Sequence, residues 1–121
     1  MEGWLRKYVD KVKLFQKTLY PKRYFIIDFT SANVYIKHDE MIKIYPQLQE
    51  NDKVKIIPFR SVLDCYIPTA SVKTQSIPKN WPHIFYVHTT DRTYSLCAKS
   101  EAERKMWMAG FRYVIASTLT V

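Results

Sequence analysis

A single amphipathic helix closes a chain that otherwise reads almost entirely as β-strand. From Ser100 to about Thr118 the apolar residues Trp107, Phe111, Val114 and Ile115, then Thr118, recur at helical spacing. Ser100 followed three residues later by Glu103 is a capping box, which supplies acceptors to the otherwise orphan amides of a first turn. Early acids (Glu101, Glu103) and later bases (Arg104, Lys105, Arg112) suit the helix dipole. The preceding residues offer no second helix of this quality. One helix cannot bury its stripe alone, so it must cap a sheet.

Seven strand segments are expected. They are Gly3 to Val9, Lys22 to Phe29, Asn33 to Lys37, Lys53 to Phe59, Val62 to Ile67, Ile84 to Thr89 and Thr93 to Ala98. Aromatic and β-branched residues dominate them, most densely in Lys22 to Phe29, as a pleated half-buried surface favours. Thr30-Ser31-Ala32 joins one hairpin and Asp91-Arg92 another. Asp10 to Pro21 and Pro68 to Pro82 read as loops. His38 to Asp52 is ambiguous: Met41 to Tyr45 could extend a strand and Pro46 to Glu50 could make a helical turn. The expected fold is mainly β with one C-terminal α-helix, a seven-stranded bent antiparallel barrel or sandwich capped by that helix. At 121 residues the chain is read as one domain, residues 1–121.

Glycine is confined to Gly3 and Gly110, which excludes the Gly-rich phosphate loops of Walker and dinucleotide sites. No apolar run is long enough to span a bilayer. The opening Met1-Glu2-Gly3-Trp4-Leu5-Arg6-Lys7 reads neither as a secretory signal nor as a myristoylation start. Cys65 and Cys97 fall in separate strands and read as a reduced, buried pair of an intracellular protein. His38, His83 and His88 are scattered, and no Ser/His/Asp, Cys/His or zinc-ligand spacing appears. The expectation is a non-enzyme without cofactor or metal.

Charge is the informative feature. The formal net charge is +8, and residues 1–23 alone carry +5 of it. Arg6, Lys7, Lys11, Lys13, Lys17, Lys22 and Arg23 flank the turn between the first two strands, so a hairpin gathers them at one mouth. A solvated face is the plainer reading. A concave anion site is the functional one, with nucleic acid, an anionic membrane or an acidic protein as the partner classes. Leu14 and Phe15, set among lysines, can staple the loop to the barrel or enter a headgroup layer. No nucleic-acid module signature accompanies the charge, so nucleic acid is not the expected partner.

The opening Glu2-Gly3-Trp4-Leu5-Arg6-Lys7, the second-strand run Arg23-Tyr24-Phe25-Ile26-Ile27 and Ser100-x-x-Glu103-Arg104-x-x-Trp107 together resemble the pleckstrin homology (PH) domain. The resemblance covers nearly the whole chain. It implies a bent barrel open at one corner, with Trp107 plugging that corner as a core residue. It also implies a signalling module, peripheral at membranes and cytoplasmic, that binds anionic phospholipid headgroups such as phosphoinositides through the first hairpin. The pattern is a late strand-one Lys followed by a basic-x-Arg; Lys7 and Arg23 match it. The middle basic position falls on Pro21, and Lys22 beside it should point to the other face. Lys11, Lys13 or Lys17 can compensate from the loop, and Tyr35 and Lys37 lie where members add a headgroup contact. Fewer fixed contacts suit a smaller head, so phosphatidic acid is a second candidate. The alternative is a scaffold module of the same fold that binds a protein partner and little lipid. A monomer is expected.

Overall fold

The computed structural model describes residues 1–9, 19–69 and 77–119. The strands are β1 (Glu2–Lys7), β2 (Lys22–Asp28), β3 (Asn33–Lys37), β4 (Val54–Pro58), β5 (Val62–Tyr66), β6 (His83–Thr89) and β7 (Thr93–Ala98), followed by α1 (Glu101–Leu119). All pairings are antiparallel, and the seven strands form one sheet in the order β4-β3-β2-β1-β7-β6-β5. The sheet bends but does not close, because β4 and β5 stand at its two edges, joined in sequence by a short 3-10 turn, Phe59–Ser61.

Strand alternation sets the inside. Leu5 of β1, Phe25 and Ile27 of β2, Val34 and Ile36 of β3, and Phe85, Val87 and Leu96 of the second half are fully or almost fully buried. They meet Trp107, Met108, Phe111 and Val114 of α1. Trp107 packs edge-on to Phe25 with ring centroids 6.1 Å apart, and a Cβ on Gly3 would sit 3.3 Å from its ring. Gly3 is thus small because the indole passes over it. Met108 lies outside the expected stripe; a helix seated in a bent sheet buries a wider face than a narrow seam.

The helix starts as its sequence requires. The Glu103 amide donates to Ser100 Oγ at 3.1 Å, and the Arg104 amide donates to the Ser100 carbonyl at 3.0 Å. The basic residues act differently from the dipole role expected of them. Arg112 donates through Nε and Nη2 to the Cys65 carbonyl, and Arg104 Nη1 donates to the Ile84 carbonyl. These guanidiniums strap α1 to β5 and β6, and the last turn holds no base.

His38 to Asp52 forms neither a strand extension nor a helix. Its Glu40 and Ile42 carbonyls take the ammonium of the buried Lys37. A second apolar cluster (Tyr20, Trp81, Ile84, Cys97) seals the outer face of β1, β7 and β6, with Trp4, Leu19, Ile77 and Tyr86 against it. Cys65 and Cys97 are free and buried, separated by β6. Among the described residues no helix is long and apolar enough to cross a membrane.

Candidate functional site

The alternation that builds the core also builds the site. Gly3, Leu5 and Lys7 occupy the inner face of β1, and Arg23, Phe25 and Ile27 that of β2, with Leu5 opposite Arg23 in register. The inward positions are apolar until the strand ends, where Lys7 and Arg23 replace apolar side chains. Both line one hollow of about 190 Å³ at the open end of the sheet. The β3–β4 connection contributes His38, Asn51 and Asp52, and β4 adds Lys55. The β6–β7 turn contributes Arg92, and Ile36, Val54 and Tyr94 complete the wall.

Tyr94 is the pivot of this mouth. Lys7 Nζ lies 5.6 Å and Arg92 Cζ 5.8 Å from its ring centroid, so one buried ring holds a cation from each neighbouring strand end. Burial pushes the phenol up to about 12. Arg92 opposes that shift, while Glu50 and Asp91 add to it. On the far side, an adjoining hollow of about 380 Å³ shares Lys7, Arg92 and Tyr94 and adds Tyr8, Asp91 and Ser95.

The charges are unevenly paired. Lys55 Nζ lies 3.3 Å from Glu50 Oε1. Arg23 donates through Nη1 to the Lys22 carbonyl at 2.9 Å, and no carboxylate approaches it within 4 Å among the described residues. Removal from water lowers its pKa from the ordinary value. Lys7, Arg23 and Arg92, with Lys55 paired to Glu50, thus share one concavity with Asp52.

The other expected site residues stand elsewhere. Lys22 projects from the outer face, its Nζ 5.7 Å from the Trp4 ring, as alternation dictates. Lys37 is 4% exposed; its Nζ donates to the carbonyls of Glu40 at 2.8 Å and Ile42 at 2.6 Å and lies 5.1 Å from the Tyr24 ring. Tyr35 donates its hydroxyl to Ser31 Oγ at 3.2 Å and lines a separate hollow with Asp28, Asn33 and Tyr45. Neither lines the hollow of Lys7 and Arg23, because alternation turns both to the face opposite Ile36, which does line it. Lys11, Lys13, Lys17, Leu14 and Phe15 lie outside the described residues.

Pro21 serves the backbone, since its carbonyl accepts the Lys7 amide at 3.1 Å, one step beyond the β1–β2 ladder. The sequence reading missed His38, Lys55 and Arg92 as neighbours of Lys7 and Arg23. The available signal was topological, since the β1–β2, β3–β4 and β6–β7 connections of an up-and-down sheet meet at one end. Among the described residues no group of three or more His, Cys, Asp or Glu could hold a metal ion. The chemistry open to the site is to hold an anion by charge-assisted hydrogen bonds in a partly desolvated cleft.

A family model described as PH domain matches residues 1–116. Comparison with curated proteins gives no match. Among solved structures, the N-terminal PH domain of human ARAP2 aligns over 100% of this chain and 84% of its own, with TM-score 0.58 and 21% identity. A crystal structure of SifA and SKIP aligns over 96% of this chain and 97% of its own, with TM-score 0.64 and 19% identity. The PH domain of human oxysterol binding protein-related protein 11 aligns over 95% of this chain and 78% of its own, with TM-score 0.63 and 17% identity. At these identities the likeness is one of fold.

Proposed function

This chain belongs to the PH domain family, and on that premise we propose that the open end of its sheet binds the phosphorylated headgroup of an anionic phospholipid, a phosphoinositide or phosphatidic acid. PH domains are generally non-catalytic modules that bind lipids or proteins. The observation that carries the lipid reading is the shared hollow: Lys7 and Arg23 converge on one concavity together with Lys55 and Arg92. Arg23 presents a planar fork to a phosphate, and Lys7 supplies a compact point charge. Lys11, Lys13 and Lys17 belong to the same reading as further phosphate contacts, and Leu14 and Phe15 as the inserting residues. The module then acts as a single domain at the cytoplasmic face of a membrane.

Co-sedimentation with phosphatidylcholine vesicles carrying phosphatidic acid or individual phosphoinositides tests this. Each basic residue near an anionic leaflet contributes on the order of 1 kcal/mol, so losing two weakens binding about thirtyfold, and reversing them weakens it further. The K7E/R23E double variant should lose the acidic vesicles while keeping its thermal transition. Undiminished binding by that variant refutes the site.

One observation favours a second reading, a protein-interaction module. At the end opposite the hollow, Phe29 (48% exposed) and Tyr113 (64% exposed) stack edge to face at 5.3 Å. Equal sedimentation with neutral and acidic vesicles at physiological salt selects this reading over the first.

A further inference from the structure

We propose that His38 is a headgroup-contacting residue of the open-end site and that its proton makes anion binding stronger as pH falls. The inference rests on the anion-binding reading above and concerns the imidazole of that site.

His38 directly follows β3, and its amide donates to the Lys53 carbonyl at 3.0 Å, which fixes where the β3–β4 connection leaves the strand. The residue is exposed and lines the 190 Å³ hollow. The charged groups around that hollow come from every strand end that meets there. Among the described residues they are Lys7 of β1, Arg23 of β2, Asp52 beside β4, Lys55 of β4 with its partner Glu50, and Asp91 and Arg92 of the β6–β7 turn, with the Tyr94 phenol of β7. Lys7, Arg23 and Arg92 give this mouth a positive field, while Lys55 is paired with Glu50, and Asp52 and Asp91 carry the other negative charges. A bound anion reverses that field. It favours the imidazolium, which then offers two N–H donors where the neutral ring offers one. Proton and anion therefore bind with positive coupling, and the coupling is reciprocal.

The remaining groups cannot mimic this effect. Lysine and arginine stay charged between about pH 5.5 and 8, and an aspartate stays ionised. Neither other histidine lines the hollow: His83 pairs with Ala98 at the start of β6, and His88 Nδ1 meets Thr93 Oγ1 at 2.8 Å. A phosphomonoester loses its second charge near pH 6, which acts in the opposite direction and would obscure the effect. The probe must therefore keep a fixed charge.

Inositol hexasulfate, a fully ionised stand-in for a phosphorylated head, should be titrated calorimetrically at pH 7.8 and 5.8 at constant ionic strength. Where the anion favours the imidazole's proton tenfold, binding tightens severalfold across that range, with about tenfold as the ceiling. The His38→Gln variant should bind with no pH dependence, and His38→Lys should bind tightly at both values. A flat wild-type profile with binding intact, or a His38→Gln variant that keeps the full dependence, overturns the role of His38 and leaves the site standing. No binding by the wild type at either pH, or equal binding by K7E/R23E, is failure of the site itself and overturns both.

Discussion

Replacing Lys37 by methionine separates stability from binding in one experiment. The ammonium is buried and donates to the Glu40 and Ile42 carbonyls at 2.8 and 2.6 Å, with the Tyr24 ring 5.1 Å away. Hydrogen bonds from a charged donor contribute ~1.5–3 kcal/mol each, and the ring contact adds ~0.5–1. Methionine fills nearly the same volume and no longer needs a charge taken out of water, which offsets part of the loss. Glu40 is exposed and Ile42 half-exposed, so both carbonyls recover some water. The net expectation for Lys37→Met is a loss of about 2 kcal/mol, or about 8 °C in Tm for a domain of this size. Thermal unfolding by circular dichroism measures it. Vesicle co-sedimentation, run well below both transitions, should be unchanged, because the side chain lines no part of the hollow. An unchanged Tm with lost vesicle binding would show that Lys37 reaches the headgroup and that the loop carbonyls do not hold it.

The interior sets further outcomes. Burial pushes Tyr94, Cys65 and Cys97 up to about 12, and a group raised on folding contributes stability below its unfolded value that is lost as pH climbs toward the folded one. Stability should therefore fall from about pH 9 upward; Tyr94→Phe should retain roughly 2 kcal/mol more near pH 12 than the wild type, and both thiols should resist a thiol reagent at pH 8 until denaturant is added. Trp107→Ala removes the plug against Phe25 and Phe111 and should cost ~3–5 kcal/mol, read as an unfolded or barely folded chain by near-ultraviolet circular dichroism.

Most of the fold was legible because each strand carries its own period. Asn33–Lys37 and Thr93–Ala98 have the bounds their sequence implies, and the other strands differ only by end residues. Ser100 and Glu103 located the helix start because capping is a local interaction. His38 to Asp52 was not legible. Its apolar run Met41 to Tyr45 suggests a strand, but no sheet edge accepts it. Instead Asp39 caps the Met41 amide, and Lys37 Nζ takes the nearby carbonyls that a strand would have paired. The same fact explains where Lys37 lies: the next segment supplies the Glu40 and Ile42 carbonyls that take its ammonium.

That Lys7 and Arg23 share one face of the first hairpin could be read from sequence, because its alternation is fixed by Leu5 and Phe25. The departure at Pro21 looked like a missing cation. The structure gives it a positive meaning. β1 ends with the Lys7 amide donating to the Pro21 carbonyl, and Arg6 Nη1 donates to the Tyr20 carbonyl at 2.8 Å from the other face. Arg6 also lies 5.4 Å from the Trp81 ring, within the second apolar cluster. Proline has no amide to satisfy at this ladder end, and its fixed φ stiffens the entry to β2. The stem of the β1–β2 connection is therefore pinned on both faces, directly beside Lys7 and Arg23. A cation is absent from the strand, while the two that remain are held by a rigid base. In the proposed site, selectivity should come from the placing of Lys7 and Arg92 about the Tyr94 ring and of Arg23 in the same hollow.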